Sequence, residues 1–444
     1  MTVDKRGDDR WSAWLHAILA AGCVVIPCVF TTRVQAVFVV PKLAALWALL
    51  AVCFAIIAVA ALRPTTFPGG ARPVWRVDAA ALAFLTLTAL AWAFSTDRDQ
   101  SFYGERLQHQ GLLAVVSYGA YFLVARLAVD SGTRLRGMQI AVTVGATLVA
   151  GYALIQKTGL DPVWEGYLPG GRVFSSIGQA NALAAYLVLA LPLAASLVVG
   201  HCRSTFRAAA AVAAVAIALA LVFTQSRGGY VGVVVALLVL AMGWWRESRI
   251  ERRHVVVAAA ALGVIAGVAV FTGELGRVAS HSDESARFHR DAWRVAVEVV
   301  EDHPVLGTGP ETFPDQFPRY SHAVLPTERA EALDAFRVES PHNVYLAIAA
   351  GSGIPALVAY LAAIVGFFAV VVGALQTVTR EARIALVAVL AAVAGHLATD
   401  AFMTAEVTST WLFWVLMGGS LCVIAARERE RGPAEAGPRS QGIS

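Results

Sequence analysis

Residues Leu43 to Leu62 read LAALWALLAVCFAIIAVAAL, twenty positions without a charge. As a helix rising 1.5 Å per residue this run covers about 30 Å, the thickness of the hydrocarbon core of a bilayer. Runs of the same kind can be read at Trp14 to Phe30, Ala79 to Phe94, Gly111 to Leu127, Met138 to Gln156, Leu183 to Val199, Ala208 to Thr224, Tyr230 to Trp245, Val255 to Phe271, Val344 to Leu375, Ala385 to Met403 and Thr410 to Ala426. They lack the period-two alternation of barrel strands, and within lipid every backbone polar group must be paired inside the segment. The expectation is an all-α integral membrane protein with about 12 transmembrane helices. Composition agrees: of 444 residues 58% are hydrophobic and 15% charged, with a mean hydropathy of +0.64, where soluble domains carry about a quarter charged residues. A large soluble catalytic domain is excluded. The net charge of +4 speaks for membrane topology and not for a nucleic-acid partner. Lys5, Arg6 and Arg10 precede the first run as in a signal peptide, but with eleven spans behind it that run reads as a retained anchor.

Basic residues accumulate in short cytoplasmic loops. With the N-terminus inside, 21 of the 35 Lys and Arg fall on the inner side, 7 in short outer loops and 7 in one long outer loop. Both termini are therefore expected in the cytoplasm. The long loop, Thr272 to Pro341, holds 13 acidic and 7 basic residues and is the only segment able to form a small extramembrane domain. The chain is thus divided into residues 1–271 with nine spans, an outer loop domain of short helices at 272–341, three further spans at 342–426, and a polar tail at 427–444 expected to be disordered. Four cysteines lie in spans and Cys202 in a cytoplasmic loop, so disulfides have no evident part.

Four segments at the outer surface carry candidate chemistry. The first is Glu339-Ser-Pro-His-Asn-Val-Tyr-Leu346, followed by Gly351-Ser-Gly-Ile-Pro355. Ser340 suits a helix N-cap and Pro341 the first helical position, which puts His342 in the first turn. The partial positive charge there disfavours imidazolium and leaves a neutral ring fit for a general base. A histidine that only hydrogen-bonds at a helix start fits the same residues. His342 to Leu375 is too long for one perpendicular span, so a break is expected between Gly351 and Pro355.

The second segment runs from Ser285 to Glu301, with Arg287, Arg290 and Arg294 at i, i+3 and i+7 on one helical face. A row of guanidiniums suits a diphosphate, each donating two hydrogen bonds. Because Glu298 and Glu301 extend that face, a solvated stripe over buried Trp293, Ala296, Val297 and Val300 is the alternative. After it, Gly307 and Gly309 in His303-Pro-Val-Leu-Gly-Thr-Gly-Pro310 form a tight turn whose N–H groups would approach an anion. The third is the short turn Thr224-Gln-Ser-Arg-Gly-Gly-Tyr230. It puts Arg227 at the membrane surface, either snorkelling to headgroups or meeting something that approaches past the small residues beside it. In the fourth, Gly171 to Asn181, Arg172 and Asn181 bracket the start of a span, where Asn181 also fits a helix cap. No His or carboxylate pair has metal-ligand spacing on a recognisable helix face, and Asp97-Arg-Asp99 reads as a solvated loop.

These segments resemble the O-antigen ligase and polymerase superfamily of bacterial envelope glycosyltransferases. The resemblance rests on His342 and Asn343 with Gly353 in a His-Asn-x9-Gly spacing, the run from Trp293 to Phe313, the Ser-Arg-Gly-Gly turn at Arg227 and the Gln-Ala-Asn-Ala-Leu-Ala-Ala-Tyr-Leu segment at Asn181. It implies an O-antigen ligase-like glycosyltransferase in the bacterial inner membrane, metal-independent and without cofactor. The implied donor is an undecaprenyl-diphosphate-linked glycan, and the implied acceptor a core sugar of lipid A or another lipid-linked acceptor. It further implies that His342 activates the acceptor hydroxyl, with Arg227, Arg290 and Arg294, and also Arg287 and Arg172, as candidate diphosphate clamps. Preorganised cations would stabilise the departing diphosphate without a metal, and attack from the opposite face would invert the anomeric centre. Two rivals stand beside this reading: a polymerase of the same superfamily, taking a growing chain as acceptor, and a multi-pass transporter. A transporter should show internal repeats and ionisable residues at mid-membrane, where here His396 and Asp400 are the notable pair.

Overall fold

The computed structural model of the chain describes residues 5–62, 74–200, 203–245 and 282–431. The described residues form helices and no strands. Eight helices precede the third gap in that description apart from one short one: α1 (Lys5–Cys28), α2 (Val40–Ala61), α3 (Trp75–Ala93), the short α4 (Arg98–Tyr103), α5 (Leu112–Ala128), α6 (Gly132–Lys157), α7 (Ala180–Gly200), α8 (Ser204–Thr224) and α9 (Arg227–Trp245). After it come α10 (Ser282–Asp302), α11 (Phe313–Val324) and α12 (Thr327–Asp334), and then α13 (Val344–Ala374), α14 (Arg380–Asp400) and α15 (Val407–Arg431). Ten of these are long and apolar enough to cross a bilayer, and α5 is apolar but shorter. The chain is an all-α, multi-pass membrane protein. Eleven of the twelve expected spans correspond to described helices, while Val255 to Phe271 lies outside the described residues. Helix α15 continues to Arg431, into the stretch expected to be disordered, and 432–444 lie outside the described residues.

The most completely buried spans are α7, α14 and α15. Helix α7 is apolar on every side, the composition a helix needs when all its faces meet other helices. Around this centre α9 and α7 pack on α14, α5 on α15, α3 on α13 and α1 on α6. The outer helices turn Phe54, Leu82, Val212 and Val365 away from the bundle, where lipid replaces protein. Small residues allow the tightest crossing: a Cβ on Gly232 of α9 would lie 2.7 Å from the Gly395 carbonyl oxygen of α14, and one on Gly395 equally close to that of Gly232.

The expected break in the tenth predicted span is present inside α13, at Gly353, with φ 85° and ψ 165°. Its chemistry follows from the chain. The Ile354 N–H turns away to donate to the Pro304 carbonyl at 2.8 Å, and Pro355 has no N–H to give. The carbonyls of Ala350 and Gly351 thereby lose their helical donors. They accept instead from Thr308 and Gly309, both at 2.9 Å. A side chain at 353 would also collide with the Val305 carbonyl oxygen, 2.0 Å from its Cβ. The break is thus clipped to the turn after α10, which fixes the loop helices on the end of the bundle.

Helices α10 to α12 have a small core of their own. Ala292, Val295, Ala296 and Val299 of α10 pack with Phe313 and Phe317 of α11, and Ala350 of α13 joins them. Full burial of a side chain like Phe317 contributes roughly 1.5–3 kcal/mol. This corrects the expected buried face of α10: Ala296 is buried as expected, but Val297 is 43% exposed and Trp293 and Val300 are only partly covered. The periodicity located an apolar stripe but not its centre. Arg329 of the α12 segment then pins the start of α10, donating to Asp291 at 2.8 Å and Glu284 at 2.7 Å.

Candidate functional site

A turn of two residues joins α8 to α9, which is possible because Gln225 takes a left-handed conformation, φ 51°. Ser226 then caps α9, its Oγ accepting from the Gly229 N–H at 3.3 Å. Arg227 is consequently the first residue of α9. Arg172, in the connection between α6 and α7, reaches across to this turn. Its Nε donates to the Thr224 carbonyl at 2.7 Å and one terminal nitrogen donates to Asn181 Oδ1 at 2.6 Å. Asn181 therefore does not cap α7, which starts one residue earlier; its carboxamide holds Arg172. Three elements are tied together by one guanidinium.

Helix α10 covers this corner. Arg172, Asn181, Arg227, His289, Arg290 and Trp293 line one cavity of about 580 Å³, and among the described residues no carboxylate lines it. Three of the five arginines singled out in the sequence are thus brought together. Arg294 lies beside this cavity, lining a shallower one with Arg290. Arg287 is exposed, 4.0 Å from Glu284, and lines neither. Spacing in the sequence placed all three loop arginines on one face, but the face of α10 turned to the cavity runs through Ser285, Ala286, His289, Arg290 and Trp293. Only Arg290 belongs to both.

His289 is the residue that sequence reasoning passed over. Its signal was the i, i+4 spacing to Trp293 on the side of the helix next to the arginine row. Its Nδ1 is buried without a hydrogen-bond partner, and burial together with the Arg227 guanidinium pushes its pKa below the usual histidine value. Its ring centroid stands 5.4 Å from that of His342, edge to face, and Phe288 stacks against His342 from the same helix at 5.5 Å.

His342 does not lie in the first turn of α13. The N-cap is Asn343, whose Oδ1 accepts from the Leu346 N–H at 3.0 Å, and Ser340 and Pro341 precede the helix. The stronger cap is the residue whose side chain reaches the third N–H of the helix, and Asn343 is placed to do so. Ser340 instead shapes the approach: its Oγ accepts from the His342 N–H at 3.2 Å and hydrogen-bonds Thr404 Oγ1. His342 is held at φ 48°, a left-handed conformation uncommon for a non-glycine residue. Its Nδ1 lies 3.5 Å from Thr404 Oγ1. Burial, with His289 beside it, pushes the ring down to about 4, so the imidazole is neutral at ordinary pH. Neutrality was expected from a helix start; desolvation is its main cause.

Gly307 and Gly309 do not offer open N–H groups. That of Gly307 donates to the His303 carbonyl at 3.1 Å, and those of Thr308 and Gly309 close the break in α13. Their part is to seat the loop on α13, the helix that follows His342. Asp97 caps α4 by accepting from the Gln100 N–H at 2.9 Å.

With this geometry in view, comparison with known proteins is informative. Residues 211–361 match the O-antigen ligase family. That segment, from α8 through the loop helices to the middle of α13, carries the resemblance of the chain to the O-antigen ligase and polymerase superfamily. It contains Arg227, His289, Arg290 and His342, whereas Arg172 and Asn181 lie before it. Members of the O-antigen ligase family are glycosyltransferase-like enzymes, and lipid-linked glycans are the class of substrate that membership implies. No curated protein matches the chain.

Proposed function

We propose that the protein is an O-antigen ligase-like glycosyltransferase that moves a glycan from undecaprenyl diphosphate to a core sugar of lipid A. One observation carries this reading: Arg172, Arg227 and Arg290 face a common cavity that no carboxylate lines among the described residues, and His289 on its wall touches the neutral ring of His342. Arg227 and Arg290 hold the diphosphate, with Arg172 fixing the turn that presents Arg227. The acceptor oxygen attacks the anomeric carbon from the face opposite the diphosphate. Its C–O bond forms as the bond to the diphosphate breaks, the electron pair leaves with the diphosphate, and the proton passes to His342. The charge that develops on the leaving group meets cations already in place, the arrangement that lowers such a barrier most. The distribution of Lys and Arg supports a site at the outer face of the inner membrane with both termini in the cytoplasm, and it supports treating 272–341 as an outer loop domain.

The test is reconstitution in proteoliposomes with an undecaprenyl-diphosphate-linked glycan and lipid A carrying a core oligosaccharide. Glycosylated lipid A is the expected product. Elongated lipid-linked glycan in its place would assign the protein to chain extension by a polymerase, and no transfer to either acceptor would overturn the reading.

A further inference from the structure

A second cavity, about 110 Å³ against the ~10–15 Å³ that one water needs, opens beside Thr404, a neighbour of His342. Its polar lining is the reverse of the first: Glu311, His396, Asp400 and Thr404 face it, and among the described residues no Lys or Arg does. Aromatic rings complete its wall, including Tyr360 and Trp414. His396 is 2% exposed with its Nδ1 unpartnered, and its Nε2 stands 3.6 Å from Asp400, too far for a hydrogen bond. Buried polar atoms that find no partner in the protein are costly unless something else supplies one. Thr404 belongs to both neighbourhoods, since it faces this cavity while its Oγ1 lies 3.5 Å from His342 Nδ1. Phe402, two residues earlier, faces the cationic cavity. His342 therefore touches one lining residue of each space, His289 of the first and Thr404 of the second, and the short α14–α15 connection contributes to both linings.

We infer that the second cavity is the acceptor subsite, receiving the sugar whose hydroxyl is glycosylated. The inference rests on the transferase reading above. Carboxyl groups accept hydrogen bonds from sugar hydroxyls, unpartnered imidazole nitrogen offers a further one, and aromatic faces with their negative quadrupole suit the C–H edges of a pyranose. A displacement with inversion needs acceptor and leaving group on opposite sides of the reacting carbon. The proposed base, in contact with one lining residue of each cavity, would serve such an arrangement. With no Lys or Arg among its described lining residues, the second space offers a diphosphate no cation. Burial pushes the Glu311 carboxyl up to about 7, so it can accept from or donate to a hydroxyl at neutral pH.

The inference is tested with Glu311→Gln, which keeps the shape of the side chain, and Ala405→Leu, which fills the cavity from the α14–α15 connection. Acceptor and donor are titrated separately, with lipid A carrying a core oligosaccharide and undecaprenyl-diphosphate-linked glycan. Each variant is expected to raise the acceptor KM about tenfold or more, as for loss of one hydrogen bond to a charged group or for steric exclusion, and to leave the donor KM within about twofold. An acceptor KM unchanged in both variants, with wild-type transfer intact, overturns the acceptor subsite and leaves the transferase reading standing. A donor KM that rises in step with the acceptor KM also overturns it. Absence of transfer by the wild type removes the transferase reading instead, and the subsite with it.

Discussion

The two cavities that meet neighbours of His342 are built from the same bundle end yet differ in charge. Among the described residues the larger is lined by three arginines and no carboxylate, the smaller by Glu311, Asp400 and His396 and no Lys or Arg. Their walls differ too: loop helix α10 covers the first, while the second lies among α3, α5, α13, α14 and α15. The lesson is that a reacting group gains its direction from what stands on either side of it. A neutral imidazole between a cationic and an acidic space can take a proton from one side while charge accumulates on the other.

The largest effect that would break this division is loss of the imidazole. His342→Ala is expected to lower transfer by about 10²–10⁴-fold, the usual contribution of a general base, with unchanged abundance in membranes; a variant that transfers at the wild-type rate would leave the two cavities without a shared reacting group. The pH profile sharpens the same point. Because the ring is pushed down to about 4 from an ordinary 6.5, it stays uncharged as the pH falls through 6, and the acid limb of transfer is expected near 4. An acid limb near 6.5 would mean the base is a solvated histidine. Next in size, Arg227→Ala or Arg290→Ala is expected to raise the donor KM about 10–100-fold, as for a charge-assisted hydrogen bond, without moving the acceptor KM; an equal rise in both would erase the distinction between the cavities. Asn343→Ala removes the cap of α13 and should cost about 1 kcal/mol of stability, read as a lower melting temperature in detergent. Smallest of all, Arg287→Ala should change donor KM by less than about twofold, because its guanidinium is exposed and screened. A large effect there would show that α10 presents a different face to the donor.

Much of the fold was legible because lipid makes strict demands. Runs such as Leu43 to Leu62 have one stable form in a bilayer, and Gly353 with Pro355 told of a break that no regular helix avoids. The site was legible in part. Arg227 and Arg290 were visible as cations near span or loop-helix ends, and His342 as a histidine beside a helix start. The sequence did not tell which arginines on α10 share a cavity, because a face chosen by i, i+3 and i+7 spacing is rotated from the face that α13 and α9 leave open. His289 went unnoticed for the same reason, and the Gly307 to Gly309 turn was misread because the Thr308 and Gly309 N–H groups serve carbonyls more than forty residues away in the chain, while that of Gly307 serves His303.

By itself, then, the amino-acid order determined the number and length of the apolar runs and their helical form, since backbone polarity inside lipid leaves no other choice. It also determined which residue types were on hand for proton transfer and anion binding. Tertiary structure alone decided that Arg172, Arg227 and Arg290 meet and that His289 touches His342. It decided as well that carboxyl groups from a loop and from α14 gather in one cavity with Thr404, a neighbour of that ring. Those juxtapositions depend on how helices cross and rotate against one another, and contacts between residues distant in the chain leave no periodic trace along it.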